Sequence, residues 1–422
     1  MTWPRRLLPI ILVQLFMWLT LLMYAYGPWQ WPMRDPVRFY AFLFACHIAI
    51  LVGYVGAAHR APSPLLGNPS VERVIRTSLW VTLAILPVTC YARTGHWIPD
   101  IVGGLRDPGR AYSEAIAFQD SGAANFGGYV RIVAGPWLVA LMPLAAFSWG
   151  HLSWPTRVLT LFVMLVVVLM SLATGKRGEI ADMMLIVPFL LAASHWAGIT
   201  RFSRRTIVTG IGFLTVAFVA LTGFFVYSHV SRVGEDRATR GANAATYQLP
   251  DFNSPLLRVI PEGAQPGFLA VANYATTGYY GLSLAMDREV KPMWGMGHSM
   301  FLTRNVVKLA NLPDFEKRSL PVQISDYDGF TYPVLWCTAY PYIANDVGWL
   351  GTILVMFVLG RLFALTWIDT LGGENYISIV LFSLLALIIF YLPASVRVLQ
   401  DGDGVIAFDF WLVLWLFYRR GR

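Results

Sequence analysis

The chain has 422 residues, 56% of them hydrophobic and only 13% charged, with a formal net charge of +8. A soluble globular domain carries roughly 25% charged residues, so this composition, with a mean hydropathy of +0.56, excludes that class and specifies a polytopic membrane protein. The positive excess collects at the ends of apolar runs, as membrane topology requires. No basic helix or RNA motif accompanies it, so nucleic acid is not an expected partner.

A helical span needs about 20 apolar residues. The first fits Leu7 to Gly27, after Arg5-Arg6, and no small-residue cleavage site follows it clearly. The expectation is a retained span rather than a signal peptide. The second fits Phe39 to Ala58, and a polar loop with Arg60, Arg73 and Arg76 leads to the third, Leu79 to Ala92. Residues 93–126 are polar and Gly-rich, and Arg110 to Gln119 has the pattern of a surface helix. Spans four to seven fit Tyr129 to Trp149, Val158 to Thr174, Ile180 to Ile199 and Ile207 to Tyr227. A long, less apolar stretch follows, and the last three spans fit Val347 to Ile368, Tyr376 to Pro393 and Val405 to Tyr418. The division is therefore 1–227, 228–346 and 347–422.

About ten spans put both termini on one side. Arg5-Arg6, the 59–77 loop, Arg201, Arg204, Arg205 and the C-terminal arginines then share a face, which the positive-inside rule makes cytoplasmic. The long stretch and the turn Lys176-Arg177 fall on the outer face, where basic residues run against the bias. Within the long stretch, Phe268 to Met286 reads either as a re-entrant or interfacial helix or as a buried helix of an outer cap.

Three groups of residues there have chemistry. Lys176 and Arg177 sit between glycines in a tight turn between two spans. An arginine fork suits phosphate oxygens; snorkelling to lipid headgroups is the plainer reading, and Glu179 is a possible partner for Arg177. Arg232, Arg237 and Arg240 follow at near-helical spacing, interleaved with Glu235 and Asp236. They form either a second phosphate clamp or a self-paired helix end. Asp326, Asp328 and Asp346 are carboxylates near spans, with the capacity for general-base work, although Asp328-Gly329 is also a turn dipeptide. His298 is the one histidine well inside the long stretch; His47 and His195 lie in apolar spans. Trp294, Tyr327, Tyr332, Trp336, Tyr340 and Tyr342 are aromatic faces of the kind that stack on sugars, and interfacial aromatic belts are equally expected. Arg361 and Asp409 are charges within spans, which either find partners or mark an ion path. Cys46, Cys90 and Cys337 are scattered and suggest neither disulfides nor a zinc site.

The layout resembles the bacterial oligosaccharide repeat unit polymerases of the Wzy type. The resemblance lies in the basic turn Thr174-Gly175-Lys176-Arg177-Gly178, the tract from Tyr332 to Asp346-Val347-Gly348-Trp349-Leu350-Gly351, and the aromatic-Gly segment Tyr279-Tyr280-Gly281. It implies an all-α, GT-C-like integral membrane fold with a large extracytoplasmic (periplasmic) loop between spans seven and eight, in the bacterial inner membrane. It implies an enzyme that polymerises undecaprenyl-diphosphate-linked oligosaccharides into O-antigen, capsule or exopolysaccharide, without cofactor or metal, beside a chain-length regulator protein. On that likeness Arg177, Arg232, Asp346 and Asp328 are the catalytic expectations. Lys176, Arg237, Arg240, Tyr279, Tyr280, His298, Tyr327 and Tyr332 are the substrate contacts. The more distant O-antigen ligases share the basic turn and rely on a histidine of the large loop, for which His298 is the candidate. A peptidoglycan polymerase and a transporter or flippase are further alternatives.

Overall fold

The computed structural model describes residues 2–64, 70–122, 125–233, 241–243, 245–332 and 335–419. The fold is 76% helical, with no strand among the described residues. In chain order the helices are α1 (Trp3–Tyr26), α2 (Pro36–Ala58), α3 (Val71–Thr94), α4 (Ile101–Arg106), α5 (Pro108–Asp120), α6 (Asn125–Phe147), α7 (Trp154–Ala173), α8 (Gly178–Trp196) and α9 (Arg204–Val233). There follow α10 (Pro255–Arg258), α11 (Gln265–Ala285), α12 (Met300–Ala310), α13 (Leu320–Asp328), α14 (Ala339–Gly372), α15 (Tyr376–Phe390), α16 (Arg397–Gln400) and α17 (Gly402–Tyr418).

Each expected span coincides with a helix. Eight among the described residues, α1, α2, α3, α6, α7, α8, α9 and α14, are long and apolar enough to cross a bilayer. The last two expected spans, α15 and α17, are shorter, at 15 and 17 residues. No part of the apolar window of α9 is buried, and Val208, Phe213 and Val216 on it are 63%, 72% and 69% exposed. So continuous an apolar surface is untenable in water and is ordinary against lipid. The chain is therefore a polytopic helical membrane protein.

Two spans begin earlier than their apolar runs. In α3 the Ser70 hydroxyl accepts the Arg73 amide and Glu72 pairs with Arg76 at 2.7 Å, so a capped polar turn precedes the apolar stretch. In α14 the helix starts at Ala339 and is interrupted at Gly348, whose φ of 70° and ψ of 175° only glycine adopts readily.

The chain packs as two compact units, each built from separate stretches. The first comprises residues 1–60, 236–365 and 385–405. Here α2 meets α14 backbone to backbone: a Cβ on Gly53 would lie 2.0 Å from the Phe357 carbonyl oxygen, and one on Gly360 would lie 2.1 Å from that of Ile50. Such small-residue contacts are how helices approach closely in lipid. The α11 helix packs on α1, where Tyr279 is buried, shares a 3.0 Å hydrogen bond with Thr20, and lies 5.4 Å from the Tyr24 ring. Beyond it a core of Met300, Leu320, Ile324, Phe330, Cys337 and Tyr342 holds α11, α12 and α13 to the start of α14.

The second unit comprises residues 61–235, 366–384 and 406–422. In it α3 lies against α6, with a Cβ on Gly127 only 2.6 Å from that of Ala92. Among the described residues of this unit Asp369 is a fully buried carboxylate, which sequence reading passed over in favour of Asp409. It accepts hydrogen bonds from the Ser63 amide (2.8 Å), the Ser378 hydroxyl (3.3 Å) and Arg419 Nε (2.9 Å). Trp415 Nε1 donates to the same Ser378 hydroxyl at 2.9 Å. A charge out of water is tolerated only with such partners.

Candidate functional site

The basic turn lies in the second unit. Gly175 has φ +58°, and a Cβ there would stand 2.3 Å from the Pro108 carbonyl oxygen, so glycine lets the turn between α7 and α8 rest on the start of α5. The end of α9 docks on the same place. A Cβ on Gly109 would lie 2.5 Å from the Ser231 carbonyl oxygen. The Tyr227 hydroxyl donates to the Arg106 carbonyl at 2.6 Å. Ser231 Oγ accepts the Gly109 amide (3.0 Å) and donates to Asp107 (2.9 Å). The Arg110 amide, and then the Ser231 hydroxyl, hold the Asp107 carboxyl below its ordinary value.

This docking carries Arg232 to the turn. Its Nη2 donates to the Gly175 carbonyl at 2.5 Å, and its guanidinium lies 3.6 Å from the Tyr112 ring centre. Arg177 Nη1 donates to the Phe225 carbonyl at 2.7 Å, with the guanidinium 4.2 Å from that ring. Lys176 Nζ donates to Gln119 Oε1 at 3.2 Å. The Glu179 carboxylate, which the sequence set beside Arg177, engages Arg93 and the Ser171 hydroxyl. Lys176, Arg177 and Arg232 are all half-buried, so their charges are screened less than those of fully exposed groups. Arg237 and Arg240 lie outside the described residues.

A second group lies in the first unit, around Asp346. One carboxylate oxygen accepts the amides of Gly295 (2.8 Å) and Gly297 (2.9 Å); the other accepts the His298 amide (2.8 Å) and lies 3.2 Å from His298 Nδ1. Asn345 works beside it: its carbonyl accepts the Met293 amide at 3.0 Å, and its Oδ1 accepts the Leu320 amide at 2.9 Å. Gln400 closes the far side, donating to the His298 carbonyl at 3.1 Å and accepting the Met300 amide at 3.0 Å. The Met293–His298 loop is thus held at nearly every amide. With Nδ1 turned to the carboxylate, the imidazole keeps Nε2 for other chemistry.

The remaining expected residues separate. Asp328 is taken up by the Arg288 fork, with Nε at 2.9 Å from Oδ2 and a second, closer contact through Nη2. Tyr327 is 71% exposed, its ring 5.1 Å from the Arg288 guanidinium. Tyr332 is half-buried, its amide on Ser325 Oγ, and burial pushes its hydroxyl up to about 12. Tyr280 lies between Trp31 and Phe330, with ring centres 5.3 and 6.2 Å away. Tyr279 is internal to the α1–α11 contact. Sequence reading missed Arg93, Tyr112, Asn345 and Gln400. Only the glycines at 104 and 109 signalled that something packs close to α4 and α5.

No group of three or more His, Cys, Asp or Glu side chains placed to hold a metal occurs among the described residues. Comparisons with protein-family models, curated proteins and solved structures return no match.

Proposed function

We propose that the chain is a membrane glycosyltransferase that joins polyprenyl-diphosphate-linked oligosaccharide repeat units into a longer glycan of the O-antigen, capsule or exopolysaccharide kind. The setting in this reading is the outer face of a bacterial inner membrane, with both termini cytoplasmic and a GT-C-like arrangement of about ten spans. The observation that carries it is the convergence of Arg232, from the end of α9, on the turn that bears Lys176 and Arg177.

In the reaction the acceptor hydroxyl oxygen forms a bond to the donor's anomeric carbon, and the bond from that carbon to the diphosphate breaks. The electron pair leaves with the polyprenyl diphosphate. Negative charge grows on its oxygens in the transition state, and fixed cations stabilise it there. Arg177 and Arg232 have that role, with Lys176 as a further cation. The acceptor's proton goes to an oxygen of the departing diphosphate. Neither carboxylate is assigned the base's role, because Asp346 already accepts three amides and Asp328 is held by Arg288.

The test is glycan display on a gel from cells lacking the gene, rescued by wild type, Arg177→Ala or Arg177→Lys. Arg177→Ala is expected to give no ladder at a normal protein level. Arg177→Lys is expected to be poor, because an ammonium lacks the planar fork. A normal ladder from Arg177→Ala refutes the phosphate role. The His298–Asp346 pair also favours a second reading, a ligase that attaches finished glycan to another acceptor. Loss of the ladder with one repeat unit still attached supports the polymerase. Loss of all surface glycan with long lipid-linked chains accumulating supports the ligase.

A further inference from the structure

We infer that Trp294 is a stacking platform for a pyranose ring of the acceptor glycan, presented by the loop that carries His298. The inference rests on the transferase reading and extends it to a residue with no role there so far.

Trp294 is 72% exposed, and its φ of +50° lies in the left-handed region that bulky residues avoid. Its neighbours hold it in that conformation. The Met293 amide is fixed on the Asn345 carbonyl, and the Gly295 and Gly297 amides on one oxygen of Asp346. Strain that its surroundings maintain is a mark of functional sites. The side chain it presents is a rigid aromatic plate, supported from one side. The Phe315 ring lies 6.3 Å away at 26°, and the Arg318 guanidinium 5.2 Å from the indole. The surroundings are charged: Lys317 pairs with Asp314 at 2.8 Å, and Arg304 with Glu316 at 3.4 Å. An apolar face with charged groups nearby suits a sugar, whose C–H face stacks while its hydroxyls take hydrogen bonds at the rim. Asp314 and Lys317 side chains are 83% and 68% exposed, which argues against burial of this face among lipid chains. Trp294 and His298 belong to one loop pinned by one carboxylate, so a sugar on the indole is held in a fixed relation to the imidazole.

The probe is a mixture of oligosaccharides released by mild acid from the surface polysaccharide of cells that make this protein. Binding to the purified full-length protein in nanodiscs is followed by equilibrium dialysis. Trp294→Ala is expected to weaken binding about five- to tenfold and Trp294→Phe less. Leu309→Ala, at an exposed residue of α12 outside the loop, serves as the control, with binding within about twofold of wild type. Equal binding by wild type and Trp294→Ala overturns the platform, as does no binding by either. A component of the quenching by brominated lipid that is lost in Trp294→Ala overturns it in favour of a membrane contact. The rescue gel separates the two readings. A ladder lost with Arg177→Ala but unchanged with Trp294→Ala removes the platform alone, whereas no glycan change on deletion of the gene removes the transferase.

Discussion

Replacing Asp346 by alanine removes the acceptor of three amides at once, and the structure sets the size of the effect. Gly295 is exposed, so its amide turns to water at little cost. Gly297 is buried, and its amide is left without a partner, at about 1–3 kcal/mol. The half-buried His298 amide loses a charged acceptor that is itself only 9% exposed, adding about 1 kcal/mol. The sum is about 3 kcal/mol, or roughly two orders of magnitude in the local opening constant. Hydrogen–deuterium exchange reads it directly. The peptide covering residues 293–298 in Asp346→Ala is expected to exchange about a hundredfold faster, with α1 and α2 unchanged. Asp346→Asn, which keeps the shape and one carbonyl oxygen but loses the charge, is expected to fall between the two. Unchanged protection of that peptide in the alanine variant would refute the reasoning, because the carboxylate would not then be what holds the loop.

Two further tests address the scaffold. Gly360→Ala forces a Cβ to within 2.1 Å of the Ile50 carbonyl oxygen, a contact that only backbone movement relieves, so a loss of about 1–3 kcal/mol is expected in thermal unfolding of the detergent-purified protein. Gly56→Ala on α2, with nothing within 4 Å of the new Cβ, is the control and is expected to be neutral or slightly stabilising. Asp107 tests the docking of α5. Its carboxyl is held below its ordinary value by the Arg110 amide and the Ser231 hydroxyl, so its contribution is present above the unfolded-state value and is lost as pH falls through the lower folded-state one. Exchange protection at the start of α5, corrected for intrinsic rate, is therefore expected to drop between about pH 5 and pH 2 in wild type and to be flat in Asp107→Asn; equal slopes would remove Asp107 from the account.

The helices were legible because lipid imposes a single demand, a run of apolar residues long enough to cross it, and that demand is written locally. The breaks were less so. The apolar run of the eighth span begins near Val347, yet α14 starts at Ala339, because Tyr340, Ile343 and Ala344 face a protein core rather than lipid. At the basic turn, Lys176 and Arg177 were visible from charge in an apolar context, and Arg232 from its place at a span end. What fixes them was not: Tyr112 and Gln119 come from a helix whose sequence gives only its amphipathic pattern. The partners of Asp346 were hidden for a similar reason. A carboxylate beside a span suggests chemistry, but the amides that occupy it are contributed about fifty residues earlier by a loop without periodicity.

The partners of these two groups also differ in when the ribosome delivers them. Two groups that hold Arg232 against the basic turn, Tyr112 and Gly175, precede it in the chain, so those contacts can form once α9 has been made. The Met293–His298 loop instead waits for Asn345 and Asp346, and then for Gln400. At ordinary rates of synthesis that interval is roughly ten to thirty seconds. During it the nascent chain already displays its cations while the histidine loop still lacks its anchor. Maturation of the protein is therefore stepwise, and a chain truncated between His298 and Asn345 would carry the cations and the loop without the carboxylate that anchors it.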